Sequence, residues 1–157
     1  MNARINSFEV FKNVALELYN RIDKVAPVKT FNEIIAFIVN VTLACELGFK
    51  AILAEENHII YKNHDLKKLF NELDTTVKGF IKENMPSLKK DKSTVDNFDC
   101  ILEIVSNNFK EWRYYYEKDV ETNWLFLYEL VCALDMYFTG TNYLVYLETL
   151  MKANGLR

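Results

Sequence analysis

Four glycines and two prolines are all that 157 residues contain, and this scarcity constrains the fold more than any other feature. A many-stranded sandwich or barrel needs turn-formers at short, regular intervals, and there are too few here to build one. A chain poor in breakers can instead sustain long helices. Core material is plentiful: 50% of the residues are apolar and 14% are aromatic, with eleven Phe, nine Tyr and two Trp. That content excludes a disordered tail or linker. The length is about that of one domain, so residues 1–157 are read as a single helical-bundle domain.

Spacing predicts five helical segments. The first, near Ser7 to Val25, places Phe8, Phe11, Ala15, Leu18, Tyr19 and Ile22 on one side, with Glu9, Lys12, Asn13, Glu17 and Asn20 mostly opposite. That is a 3.6-residue stripe ended by Pro27. The second follows Thr30, a reasonable N-cap, and runs to about Glu56 with Ile34, Ile38, Val41, Cys45, Gly48 and Ile52 in line. The third opens at His64-Asp65 and carries Leu66, Leu69, Phe70, Leu73, Val77 and Phe80 on one face. After a polar loop holding Lys89, Lys90 and Lys92, Thr94 caps a fourth stripe of Phe98, Leu102, Val105, Phe109, Trp112 and Tyr116. From Trp124 onward apolar residues run nearly all round, as in a central or shared helix. Thr139-Gly140-Thr141-Asn142 either breaks this last segment, with Thr141 as cap, or uses Gly140 for a close helix contact. The expected architecture is an all-α, antiparallel bundle of about five helices.

Nineteen Lys and Arg stand against 22 Asp and Glu, a net charge of −3. This excludes a generally basic nucleic-acid coat but not a local basic patch. Cys45, Cys100 and Cys132 are far apart and each sits among apolar residues, the usage of small core hydrophobes in a reducing compartment. The N-terminal stretch is too polar for a signal peptide. The most apolar segment, Trp124 to Phe138, is interrupted by Glu129 and Asp135 and is shorter than a membrane span. A soluble, cytoplasmic protein with no membrane association is expected.

Few residues suggest chemistry. Glu55-x-x-His58 has the spacing of a di-iron half-site, but two histidines in the whole chain cannot complete such a site. No metal and no cofactor are expected. Nucleophile-elbow, P-loop and dinucleotide fingerprints are all missing from the sequence. Glu46 and Lys50, four apart, read as a helix-surface ion pair. His64-Asp65 reads as a helix cap. Arg113 is more telling, because it falls within the apolar stripe of Leu102, Val105, Phe109 and Tyr116. A guanidinium there needs a carboxylate, a partner chain or a phosphate. Glu117 is the local partner, and Lys110, Tyr114, Tyr115 and Lys118 interleave basic and aromatic character around it, as nucleic-acid surfaces do.

Three segments in order, ACELGFKAIL (Ala44 to Leu53), HDLKKLFNEL (His64 to Leu73) and FKEWRYYYE (Phe109 to Glu117), resemble the HEPN family of small helical domains. These are nucleotide- and RNA-associated domains common in prokaryotic defence and toxin–antitoxin systems. The resemblance covers about residues 30–120. The family's ribonuclease members use an Arg followed four to six residues later by a His, paired across a dimer, to cleave RNA without metal. Arg113 matches the Arg, but Glu117, Lys118 and Asp119 occupy the positions where the histidine would stand. Imidazole changes protonation near neutral pH and an ordinary Glu or Lys does not. With Arg113 and Lys118 beside it, Glu117 is a poor base.

The resemblance implies a phage-defence or toxin–antitoxin homodimer that binds RNA or a nucleotide, with ribonuclease activity lost or divergent. A nucleotidyltransferase or an antitoxin is the implied partner protein. Arg113 and Glu117 take the catalytic positions, Arg113 on phosphate and Glu117 orienting it. Lys110, Tyr114 and Lys118 flank the RNA- or nucleotide-binding groove. The alternative is a non-enzymatic, dimeric or antitoxin-like interaction subunit whose apolar last helix forms the interface.

Overall fold

The computed structural model describes residues 3–58, 61–87, 97–111, 123–153 and 155, excepting the side chains of Val28, Asn108, Phe109, Lys110, Glu111 and Leu150. The fold is all-α. Among the described residues there are seven helices and no strand: α1 (Ala3–Arg21), α2 (Phe31–Asn57), α3 (Leu66–Glu72), α4 (Thr75–Glu83), α5 (Phe98–Glu111), α6 (Trp124–Thr139) and α7 (Tyr143–Ala153). A 3₁₀ turn, Pro27–Thr30, leads into α2.

Two breaks turn the expected five segments into seven. At the first, Leu73 adopts an extended conformation and Asp74 accepts a hydrogen bond from the Thr76 N–H at 2.8 Å, starting α4. The apolar stripe ran through this break unchanged because Leu73 and Val77 are buried in the same core. At the second, Gly140 ends α6 with φ +66. The Thr141 N–H returns to the Met136 carbonyl at 3.0 Å, closing a left-handed cap that favours glycine. The residue capping α7 is Asn142, whose side chain accepts from the Val145 N–H. Thr141 does not hold this place.

Pairs of contacts give the helix directions. Phe8 lies against Gly48, and Tyr19 against Phe37. Phe8 also meets Phe138, and Tyr19 meets Tyr128 and Trp124. Helix α1 is therefore antiparallel to both α2 and α6, which run the same way. Gly48 allows the close approach: a Cβ there would stand 3.0 Å from Leu134 Cδ1 and 3.2 Å from Phe8 Cδ2. The core is one cluster reaching from α1 to α6, with Phe49, Phe70, Phe98 and Phe126 forming a chain of rings at centroid spacings of 5.8, 4.9 and 5.2 Å.

Lys12 departs from the polar face expected of it. It is 6% exposed and its ammonium meets Asp135 of α6 and Glu9, each at 2.7 Å. Cys45 and Cys132 are buried as expected, whereas Cys100 on α5 is exposed. Among the described residues α2, and not the Trp124–Phe138 segment, is the one helix long and apolar enough to cross a membrane. Its most apolar window has a mean hydropathy of 1.7, and 56% of that window is buried inside the protein, where α1 and α6 cover it.

Candidate functional site

Helix α2 is buried on nearly every side between Phe37 and Leu53, and Glu46 lies in the middle of that stretch. It is 3% exposed. Its Oε1 accepts from Lys50 Nζ at 2.7 Å, one turn on, and from His64 Nδ1 at 2.8 Å, across the α2–α3 connection. Its Oε2 has no hydrogen-bond partner among the described residues. The pair expected on the helix surface is thus a buried carboxylate with one satisfied oxygen. Leaving such an oxygen unpaired is costly, and native proteins do it seldom.

His64 connects this carboxylate to solvent. Its side chain is 70% exposed while the Glu46 side chain is almost enclosed. An ionised carboxylate only accepts, so in this contact Nδ1 carries the proton. The next residue, Asp65, caps α3 by accepting from the Lys68 N–H at 3.1 Å, as expected from the sequence. Asp65 also accepts the Ser106 hydroxyl of α5 at 2.8 Å. Lys67 Nζ meets Glu103 at 2.6 Å on the same α3–α5 junction. Three helices therefore converge through Glu46, His64, Asp65 and Ser106. The cluster offers an oriented imidazole, an ammonium and helix-capping polar groups, which suits hydrogen bonding to, or proton exchange with, an anionic ligand.

The residues singled out around Arg113 belong to the neighbouring part of the chain. Lys110 lies on α5 with its side chain outside the described set. Arg113, Tyr114, Glu117 and Lys118 fall wholly outside the described residues, as do Lys89, Lys90, Lys92 and Thr94. His58 takes the left-handed C-cap of α2 at φ 54, so the Glu55-x-x-His58 spacing runs off the helix end. Among the described residues no group of three or more His, Cys, Asp or Glu is placed to hold a metal ion.

Sequence reasoning missed the burial of Glu46 and its bond to His64. A signal was present: Glu46 follows Cys45 in a run where neither face of the helix is polar, so a charged residue there has to be buried. Compared with known proteins, the chain matches no family model, no curated protein and no solved structure.

Proposed function

We propose that the chain is a HEPN-like helical protein that binds RNA, or a nucleotide-bearing partner, at the junction where α2, α3 and α5 meet. The observation that carries this reading is the Glu46–His64 hydrogen bond together with the Asp65–Ser106 bond. These contacts tie together the segment from Ala44 to Leu53, the segment from His64 to Leu73, and the helix that leads into the segment from Phe109 to Glu117. Those are the three segments on which the resemblance rests. Arg113 stands seven positions beyond Ser106 in the chain. With a net charge of −3, any attraction for phosphate is local, through Lys50, His64, Lys110, Arg113 and Lys118. Binding rather than cleavage is proposed, because Glu117, Lys118 and Asp119 stand where the family's ribonucleases have histidine.

Fluorescence anisotropy with labelled single-stranded RNA tests the reading. Arg113→Ala is expected to weaken binding several-fold and to flatten its salt dependence. Binding that is unchanged by Arg113→Ala overturns the site, and RNA degradation without metal that Glu117→Gln abolishes overturns the assignment of binding over cleavage.

A second reading, a dimeric or antitoxin-like interaction subunit, is favoured by α7, where Leu144, Val145, Leu147 and Met151 are exposed. A contiguous exposed apolar face marks an interaction surface. Sizing experiments in which Leu144→Asp leaves the oligomeric state unchanged count against it.

A further inference from the structure

A cavity of about 230 Å³ lies between α6, α7 and the Asn84–Pro86 turn, apart from the Glu46–His64 cluster. Its wall holds Tyr128, Tyr143 and Tyr146, with Met136 and Leu147 as apolar filling and Glu129 and Cys132 as polar members. Glu129 is 8% exposed. Its two oxygens accept from the Ser87 N–H at 3.2 and 3.3 Å, and Oε1 also accepts the Ser87 hydroxyl. Two other buried carboxylates have cations: Glu46 has Lys50, and Asp135, six residues beyond Glu129, has Lys12. No Lys, Arg or His lies within ion-pairing distance of Glu129 among the described residues. Hydrogen bonds from one serine satisfy part of the carboxylate's accepting capacity, but among the described residues nothing balances its charge, and burial makes an unbalanced charge expensive.

The aromatic wall is held in place before any ligand arrives. Tyr128 stacks on Tyr19 of α1 with centroids 3.9 Å apart and planes 13° from parallel. The Tyr128 and Tyr146 rings both lie near Cys132, which lines the same cavity. Burial, together with the acidic groups around them, holds both phenols well above the ordinary tyrosine pKa. The site is thus hostile to added negative charge.

We propose that this cavity binds a small organic cation of the alkylammonium class, with Glu129 as its counter-charge and Tyr128, Tyr143 and Tyr146 as the aromatic wall around it. Ring faces attract ammonium groups, most strongly where water is excluded. A buried carboxylate supplies the long-range attraction and rejects anions. The size suits a compact head group, since sites for drug-sized ligands run to roughly 300–1,000 Å³. A neutral ligand of the same shape leaves the Glu129 charge unbalanced, so charge and shape are both read.

Choline and its neutral carbon analogue, 3,3-dimethyl-1-butanol, separate these contributions in calorimetric titrations of the full chain. Choline is expected to bind and raise the Tm, and the neutral analogue to bind roughly tenfold more weakly or worse. Glu129→Gln, which keeps the side-chain shape and an acceptor for Ser87, is expected to weaken choline by a similar factor. Tyr143→Leu, at the half-buried mouth, gives an independent test if Glu129→Gln does not fold. Equal binding of choline and its neutral analogue overturns the proposal. So does choline binding that survives both substitutions, or a failure of choline, tetramethylammonium and butylammonium alike to bind at millimolar concentration.

Discussion

His64 Nδ1 lies 2.8 Å from Glu46 Oε1, a solvent-facing imidazole resting on a carboxylate that is almost fully enclosed. The two residues depend on this contact unequally. Glu46 also neutralises Lys50, whose side chain is largely buried, whereas His64 makes most of its surface available to solvent.

Glu46→Ala is therefore expected to cost about 1–3 kcal/mol, because it strands the Lys50 ammonium. His64→Ala is expected to cost less than about 1 kcal/mol, as for an exposed charge partner. Urea denaturation measures both. Equal losses would make the imidazole a structural strut, and its availability to a ligand would then need another basis.

The ion pair of Lys12 with Asp135 bridges α1 and α6 inside the core. Lys12→Met leaves Asp135 buried without its cation and is expected to cost about 3–5 kcal/mol, with Lys12→Met/Asp135→Leu recovering most of the loss. Burial works against the Lys12 charge, but the hydrogen bonds with Asp135 and Glu9 outweigh it and leave the pKa above the ordinary lysine value. A folded-state pKa raised in this way gives stability that is complete below the unfolded lysine pKa and is lost as pH climbs through the folded one. Between about pH 9 and 12 the wild-type Tm is expected to fall more steeply than that of the double variant. Parallel curves would show that the pair contributes nothing to alkaline stability.

Two helical glycines are expected to respond in opposite ways to alanine. At Gly48 the added Cβ meets Leu134 and Phe8 at 3.0–3.3 Å where α1, α2 and α6 converge, so Gly48→Ala costs about 1–3 kcal/mol. At Gly79 in α4 nothing lies within 4 Å of the added Cβ. Gly79→Ala therefore gains about 0.5–1 kcal/mol from helix propensity alone. Thermal unfolding of the two variants checks the contrast, and a stabilising Gly48→Ala would show that α1 and α6 can yield at this crossing.

Much of the fold was legible because helical burial is periodic. The stripes of α1, α2 and α5 were read from spacing, and Phe8, Ala15, Ile38, Val41, Cys45, Phe98, Leu102 and Val105 are buried as that spacing implies. The Asp65 cap was legible for the same local reason. The break at Leu73 and Asp74 was not, because both sides of it bury residues against one core and the stripe continues across. The polar site was the least legible part. Glu46 and Lys50 have the same sequence spacing whether they lie on a surface or in a core, and only the packing of α1, α3 and α6 around α2 distinguishes the two.

The scarcity of glycine and proline, with the 3.6-residue period of the apolar residues, was enough by itself to determine an all-α protein. It also located the long helices and the Asp65 cap, since these are properties of neighbours within a few turns. Tertiary structure alone decided which charges are buried and what balances them. Lys12 meets a carboxylate 123 residues away, and Glu46 meets an imidazole 18 residues away. Glu129 meets a serine 42 residues away and no cation among the described residues. The reason is physical. Helix formation is governed by local hydrogen bonds and side-chain spacing, whereas the cost of a buried charge depends on every group that folding brings within a few ångströms of it.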